Sequence, residues 1–356
     1  MKTNIIINKD VRSQQDKSGI RVVCLTKYLK IMEEKFILTD RFIVSDSGKK
    51  LFQIQCVETF KYANAGDLGG YVAKEENLSQ LGDAWICDDA RVYGDARVYG
   101  DARVFGNARV SGSAQVAGDA YVSDSAQVYG SAQVSGNAWI CSNAQVYGNA
   151  QVYGDARVSD DARVFGNARV AGSAQVAGDA YVSDSAQVSG SAQVAGDAYV
   201  SDSAQVYGSA QVSGNAWICS NAQVYGSAQV YGSARVYDNA RVFGNAHVFG
   251  NARVAGSAQV AGDAIYSNGL ILGNAYIDSN DKHCGFDCFG SQNRHTHAYM
   301  TTDGEIEITC GCFRGSLEEF LKKVEETHKG TIYEKQYKAI IEVIKVKFGV
   351  YEKDNV

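Results

Sequence analysis

Proline is absent from all 356 residues, so every turn falls to the 37 glycines and to small polar side chains. No apolar run approaches the length that spans a bilayer, which excludes a membrane helix. The opening stretch, Met1 to Lys9, lacks the apolar segment and small-residue cleavage site of a secretory signal, so a cytoplasmic chain is expected. The formal charge of -6 leaves no basic footprint, and a nucleic-acid partner is not expected. Nine cysteines are present: Cys24, Cys56, Cys87, Cys141, Cys219, Cys284, Cys288, Cys310 and Cys312. The odd count, uneven spread and missing signal argue against a disulfide framework.

What the chain does have is a repeat. From Ile86, every sixth residue through Val260 is Val or Ile, thirty times without a gap, and Ala stands two residues before each. The unit reads A-x-V-x-G-[DNS], as in Ala96-Arg97-Val98-Tyr99-Gly100-Asp101. Alternation over A-x-V has the period of a strand, with Ala and Val inward and x outward. The remaining three residues are turn chemistry: Gly adopts positive φ without strain, and Asn, Asp or Ser can bond the neighbouring backbone. So short a strand cannot form a hairpin arm at each repeat. It can form one side of a coil that pairs with the coils above and below.

Two signals fix the number of sides. Gly172–Ser189 is repeated by Gly190–Tyr207 with one change, a tandem copy of three whole hexads. The exceptions to the corner glycine, Asp124, Ser142 and Asp160, and again Asp184, Asp202, Ser220 and Asp238, also recur at every third hexad. Three hexads per turn follow, and ten turns would stack to ~48 Å. A further near-copy relates 106–123 to 166–183, a shift of ten hexads, which moves features round by one face. Such a shift is tolerated only if the three sides are nearly equivalent.

The unit resembles the hexapeptide repeat of left-handed parallel β-helices, and the left hand is what that resemblance implies. Upstream, Gly66-Asp67-Leu68-Gly69-Gly70-Tyr71-Val72 and Glu76-Asn77-Leu78-Ser79-Gln80 resemble the entry segment of the YdcK-like hexapeptide-repeat proteins of bacteria and phages. Cys310-Gly311-Cys312-Phe313 and Gly315-Ser316-Leu317-Glu318-Glu319-Phe320 resemble phage members of that group. The resemblance implies a virion-associated location if the chain is phage encoded. It also implies a homotrimer as one form of assembly, although no trimer interface can be read from the residues.

The fold expected is mainly β, in three parts: a β-rich capping segment over 1–71, the repeat solenoid over 72–279, and a small α+β domain over 280–356. In the cap, Lys27–Lys35 reads as a short helix, and Phe36–Ile43 and Lys50–Val57 alternate like strands. Val72 and Leu78 are out of phase with Ile86, so the first coil is expected to be imperfect. The frame is expected to slip by one between Val260 and Ile265. Beyond the solenoid, Glu305–Thr309 reads as a strand. Ser316 with Glu319 makes a capping box for a helix to about Thr327, striped by Leu317, Phe320, Leu321 and Val324. A second helix, Tyr333–Phe348, carries Tyr337, Ile340, Ile341 and Ile344 on one face.

Three groups of residues are candidates for function. Sorted by turns of three hexads, the outward positions stack Tyr181, Tyr199 and Trp217 on one face and Tyr121 with Trp139 on another. They read as an aromatic strip for a glycan or protein partner, or as cross-coil stacking that stabilises the sheet and was copied by duplication. The solenoid arginines are expected to be balanced by corner aspartates. Near the C-terminus, Cys284 and Cys288, His295 and His297, and Cys310 and Cys312 form a set suited to a structural zinc. Equally, they are buried thiols, since C-x-C on one strand turns both side chains to one face. The third candidate is His247, the one histidine within the hexads. Hexapeptide acyltransferases place a catalytic His at the coil and insert loops over the donor, whereas here thirty hexads run uninterrupted. His247 therefore reads as a solvated surface residue. No Thr occurs between Leu81 and Asp263, which excludes the Thr ladders of ice-binding coils. The reading reached is a non-enzymatic elongated scaffold or binding protein, with an acyltransferase-like enzyme and a phage-encoded decoy as alternatives.

Overall fold

A computed structural model describes residues 34–350, together with an antiparallel pair formed by Gln14–Gln15 and Arg21–Val22. The helix expected over Lys27–Lys35 falls almost wholly outside the described residues. From Trp85–Ile86 to Tyr276–Ile277 the chain winds as a parallel solenoid with three sheets of 11 strands each, one of which is extended to 14 by strands of the N-terminal segment. Each hexad contributes a short strand, x-V, whose partner lies three hexads on, as Arg109 pairs with Gln127 and Val110 with Val128. Every Ala and every Val or Ile of the hexads is buried, and together they form one continuous core.

The corners show why glycine recurs. Gly100 has φ of 71°, and a Cβ there would stand 2.9 Å from the backbone nitrogen of Gly118 on the next coil. The exceptions adopt the same left-handed backbone, including Asp124 at 56° and Asp160 at 59°. An aspartate offsets this strain by bridging to the next coil. The amide of Gly178 donates to Oδ2 of Asp160 at 3.1 Å, that of Ser220 to Asp202 at 2.9 Å, and that of Gly256 to Asp238 at 3.0 Å. Along the columns of exceptions such links recur at every second coil, from Asp124 to Ser142 and Asp160 to Gly178, and from Asp202 to Ser220 and Asp238 to Gly256.

Outside the strand residues' own bonds, the ladder runs one way: the amide of one coil donates to a carbonyl of the next, as Arg97 N to Ala114 O at 2.9 Å. The first coil is therefore left mainly with bare carbonyls and the last mainly with bare amides. The N-terminal segment supplies donors. Strand β1 (Phe36–Val44) pairs antiparallel with β2 (Lys50–Cys56), and β2 with β3 (Leu68–Val72). In turn β3 pairs parallel with Arg91–Val92, so hairpin and solenoid share one sheet across the boundary expected at residue 71. On the other two faces side chains do the work. Lys35 Nζ donates to the carbonyls of Gly82 (3.1 Å) and Ala84 (2.9 Å), and Asn77 Nδ2 to those of Gly94 (3.1 Å) and Ala96 (2.8 Å). The first coil is longer than the rest: Val72 pairs with Val92 and Leu78 with Val98, each a wider step than three hexads.

At the far end the supply is inverted. Asn280 Oδ1 accepts from the Ile265 amide at 2.8 Å and Tyr299 Oη from the Leu272 amide at 3.3 Å. The frame slip lies later than expected. Tyr266, not Ile265, continues the inward column, pairing with Val248 and buried at 1 % exposure, while Ile265 is 50 % exposed. Reading the aliphatic residue as the inward one misled here, because a ring fills the inward position of this coil. The missing residue falls in the corner before Ile271, which pairs with Val254 one position short of three hexads.

The C-terminal domain is an antiparallel sheet of β4 (His283–Phe289), β5 (Arg294–Met300), β6 (Ile306–Cys310) and β7 (Phe313–Ser316), followed by α1 (Leu317–His328) and α2 (Ile332–Phe348). The capping box of Ser316 and Glu319 is present. Phe320 and Val324 of α1, with Tyr337, Ile340, Ile341 and Ile344 of α2, pack on Ala298, Ile308 and Cys310 of the sheet. The opposite face of the sheet meets the last coil, where Tyr299 joins the solenoid core.

Candidate functional site

The outward aromatic residues stack as their once-per-turn spacing requires. Tyr181 and Tyr199 lie 4.8 Å apart between ring centroids and 2° from parallel, and Trp217 follows at 5.6 Å. On another sheet Tyr121 and Trp139 stand 5.7 Å apart. What sequence reasoning missed is that the first column is only the upper half of a longer one. Tyr129, Tyr147 and Phe165 occupy the position after the inward Val on the same face, stacked at 4.8 and 4.9 Å. Phe165 then meets Tyr181 edge-on at 6.5 Å. Six rings thus run without a break over ~24 Å, at the inter-strand spacing. The signal was present in the sequence: where the x position turns aromatic, the residue after Val turns small, to Ser183, Ser201 and Cys219. A ring at one position occupies the space that a ring at the other would need.

The arginines are not balanced by corner aspartates. Among the described residues only Arg109 of the solenoid is ion-paired, to Asp46 at 2.8 Å. Others lie over rings instead: Arg163 over Tyr181 at 5.2 Å, Arg235 over Trp217 at 5.4 Å and Arg157 over Trp139 at 5.7 Å. The outward carboxylates stand one corner away from these side chains, whereas the next ring is directly above or below. Arg103 lies over Tyr62, Phe105 and Tyr121. The six-ring track ends in a shallow hollow lined by Trp217, Cys219, Arg235, Tyr237 and Arg253. Trp217 and Tyr199 remain 43 % and 41 % exposed there.

His247 sits half-buried in its ladder between Gln229 and Ile265, with no loop over it. The C-terminal Cys and His residues do not converge. Strand β5 turns His295 and His297 toward the solenoid, whereas Cys284 and Cys310 pack on the helix side with Ala298. Cys310 and Cys312 do not share a strand, since Gly311 and Cys312 form the turn between β6 and β7. Cys310 is consequently buried, while Cys312 and Cys288 are exposed. Burial pushes the Cys284 thiol up to about 11. No three His, Cys, Asp or Glu side chains among the described residues already surround a common point. His283, which the sequence did not single out, lies beside His297 instead, with Nδ1 3.2 Å from Nε2.

The family model described as YdcK Beta solenoid repeat matches residues 84–100, 90–104, 96–112, 102–118, 150–164, 162–178 and 234–249. No curated protein matches the chain.

Proposed function

The chain carries YdcK β-solenoid repeats, and on that frame we propose an elongated, non-enzymatic binding protein whose recognition face is the six-ring track. The observation that carries this reading is the unbroken run Tyr129–Tyr147–Phe165–Tyr181–Tyr199–Trp217 with Arg163 and Arg235 laid over it. Tyr, Trp and Arg are the residue types that dominate protein interfaces, because each offers a large rigid area with a polar tip. The choice of partner follows from ring orientation. Stacked rings hide their faces from solvent, and sugars bind aromatic faces, so the track favours a protein over a glycan. Arginines freed from ion pairs in the hollow suit carboxylates on that partner. The uninterrupted hexads support binding over an acyltransferase-like reaction, which needs a loop over its donor.

The test is Tyr181→Ser, Tyr199→Ser and Trp217→Ser combined in the full chain. Partner capture from cell extract and a glycan array are run beside thermal melting. Loss of a specific protein at an unchanged melting temperature supports the reading. Each ring pair contributes ~0.5–1.5 kcal/mol if its role is only to staple coils. A lowered melting temperature with the same captured proteins would then assign the track to stability, and glycan binding lost by the variant would replace the protein partner.

A further inference from the structure

Where the last coil meets the C-terminal sheet, polar atoms gather that neither the track nor the end-capping bonds employ. His283 opens β4, and His295 and His297 lie two apart on β5 and so share a face. Tyr266 comes from the solenoid. His297 and Tyr266 are each 1 % exposed. The rings pack closely, with His297 at 4.8 Å from Tyr266, 5.4 Å from His283 and 5.7 Å from His295 between centroids. Four buried atoms here have no hydrogen-bond partner: Tyr266 Oη, His283 Nε2, His295 Nε2 and His297 Nδ1.

Counting protons on the histidine pair exposes the difficulty. A neutral imidazole carries one N–H, so the 3.2 Å contact between His283 Nδ1 and His297 Nε2 needs one ring to donate and the other to accept. The donating ring is then left with a bare lone pair on its far nitrogen. Neither neutral arrangement satisfies both rings. A cation between the two inner nitrogens would take both of their lone pairs at once.

We propose that His283 and His297, joined by His295, bind a divalent transition-metal ion of the zinc type at this seam. Two imidazole ligands of tetrahedral zinc, each at about 2.0–2.1 Å, stand about 3.3 Å apart, which the observed 3.2 Å matches. His295 is prepared for the role. Its Nδ1 lies 2.6 Å from Asp287 Oδ1, an arrangement that fixes the proton on Nδ1 and leaves Nε2 as the free lone pair. Gly285 makes the room, since a Cβ there would come within 3.0 Å of His295 Nε2. Rotation of the His295 ring toward the pair completes three ligands, with the Tyr266 hydroxyl or water as the fourth. The nearby Lys347, whose charge opposes a cation, is engaged by Asp281 at 3.3 Å. The thiols take no part, because Cys284 and Cys310 lie on the other side of the sheet. This site does not depend on the aromatic-track reading.

The experiment uses the full chain, stripped by chelator and titrated with zinc and then cobalt(II). One equivalent should bind per chain and raise the melting temperature, and the cobalt spectrum should lack thiolate charge transfer. Replacing Cys284, Cys288, Cys310 and Cys312 together by Ser should leave binding intact. His295→Gln, at a half-buried position, should weaken affinity at least tenfold with the metal-free melt unchanged. His283→Gln and His297→Gln should abolish it. Substoichiometric metal, a thiolate band, or binding that survives His295→Gln unweakened would overturn the proposal.

Discussion

Lys35 sets a cation against two backbone carbonyls that the solenoid ladder cannot satisfy. Burial pushes its ammonium down to about 8, against the opposing pull of Asp83, Cys56 and Asp101. Lysine in the unfolded chain titrates near 10.5, so the folded chain releases this proton first as pH rises. The contribution of Lys35 to stability is therefore constant below about pH 8 and increases between there and about 10.5. Compared with Lys35→Met, the wild-type chain should gain melting temperature across that window. A difference between the two that stays flat from pH 8 to 10.5 would place the ammonium in solvent. Neither Lys35 nor Asn77 could be recognised as a cap from sequence. Their partners are backbone atoms 47 and 49 residues away for Lys35 and 17 and 19 for Asn77, and no side-chain pattern encodes those.

At the scale of elements, the hexad strand is stable only in company. Val176 is fully buried and pairs with Val158 on one side and Val194 on the other. A carboxylate there is an uncompensated buried charge, costing about 3–5 kcal/mol. Because each coil touches only its neighbours, Val176→Asp should split the thermal transition in two rather than lower it as a whole. Differential scanning calorimetry reads this directly, and a single unsplit transition would contradict nearest-neighbour stability. The two C-terminal helices and β6 were legible from their apolar stripes and the Ser316–Glu319 box. Strands β4, β5 and β7 were not; β7 was hidden because the turn at Gly311–Cys312 breaks what reads as one C-x-C strand. Without those strands the sorting of Cys from His across the sheet stays hidden.

For the whole molecule, length is counted in turns of three hexads. Deleting Gly190–Tyr207 should leave the fold intact and shorten it by ~4.8 Å in small-angle scattering. It should also bring Trp217 onto Tyr181, so that the track loses one ring and remains continuous. Deleting residues 190–201 instead should rotate everything beyond by two faces and end the track at Tyr181, because Gln211 and Ser213 then follow it. Equal partner binding by both deletions would show that the track is not the recognised surface. The ten-hexad copy has the same consequence in the natural chain. Phe105 meets Tyr121 edge-on at 6.5 Å on one sheet, and Phe165 meets Tyr181 at 6.5 Å on another.

The period of six, the inward Ala and Val, the left-handed corners and the three sides were all determined by the sequence alone. Each is a local choice repeated thirty times, and repetition makes a local preference unambiguous. Tertiary structure decided what happens where the repetition stops or shifts. It put Tyr266 rather than Ile265 inside, joined two aromatic columns through Phe165 and Tyr181, and closed the carbonyl end with donors and the amide end with acceptors. It also moved His283 beside His297 and left the cysteines behind the sheet. These outcomes rest on pairings between distant strands, and the composition of either strand does not contain them.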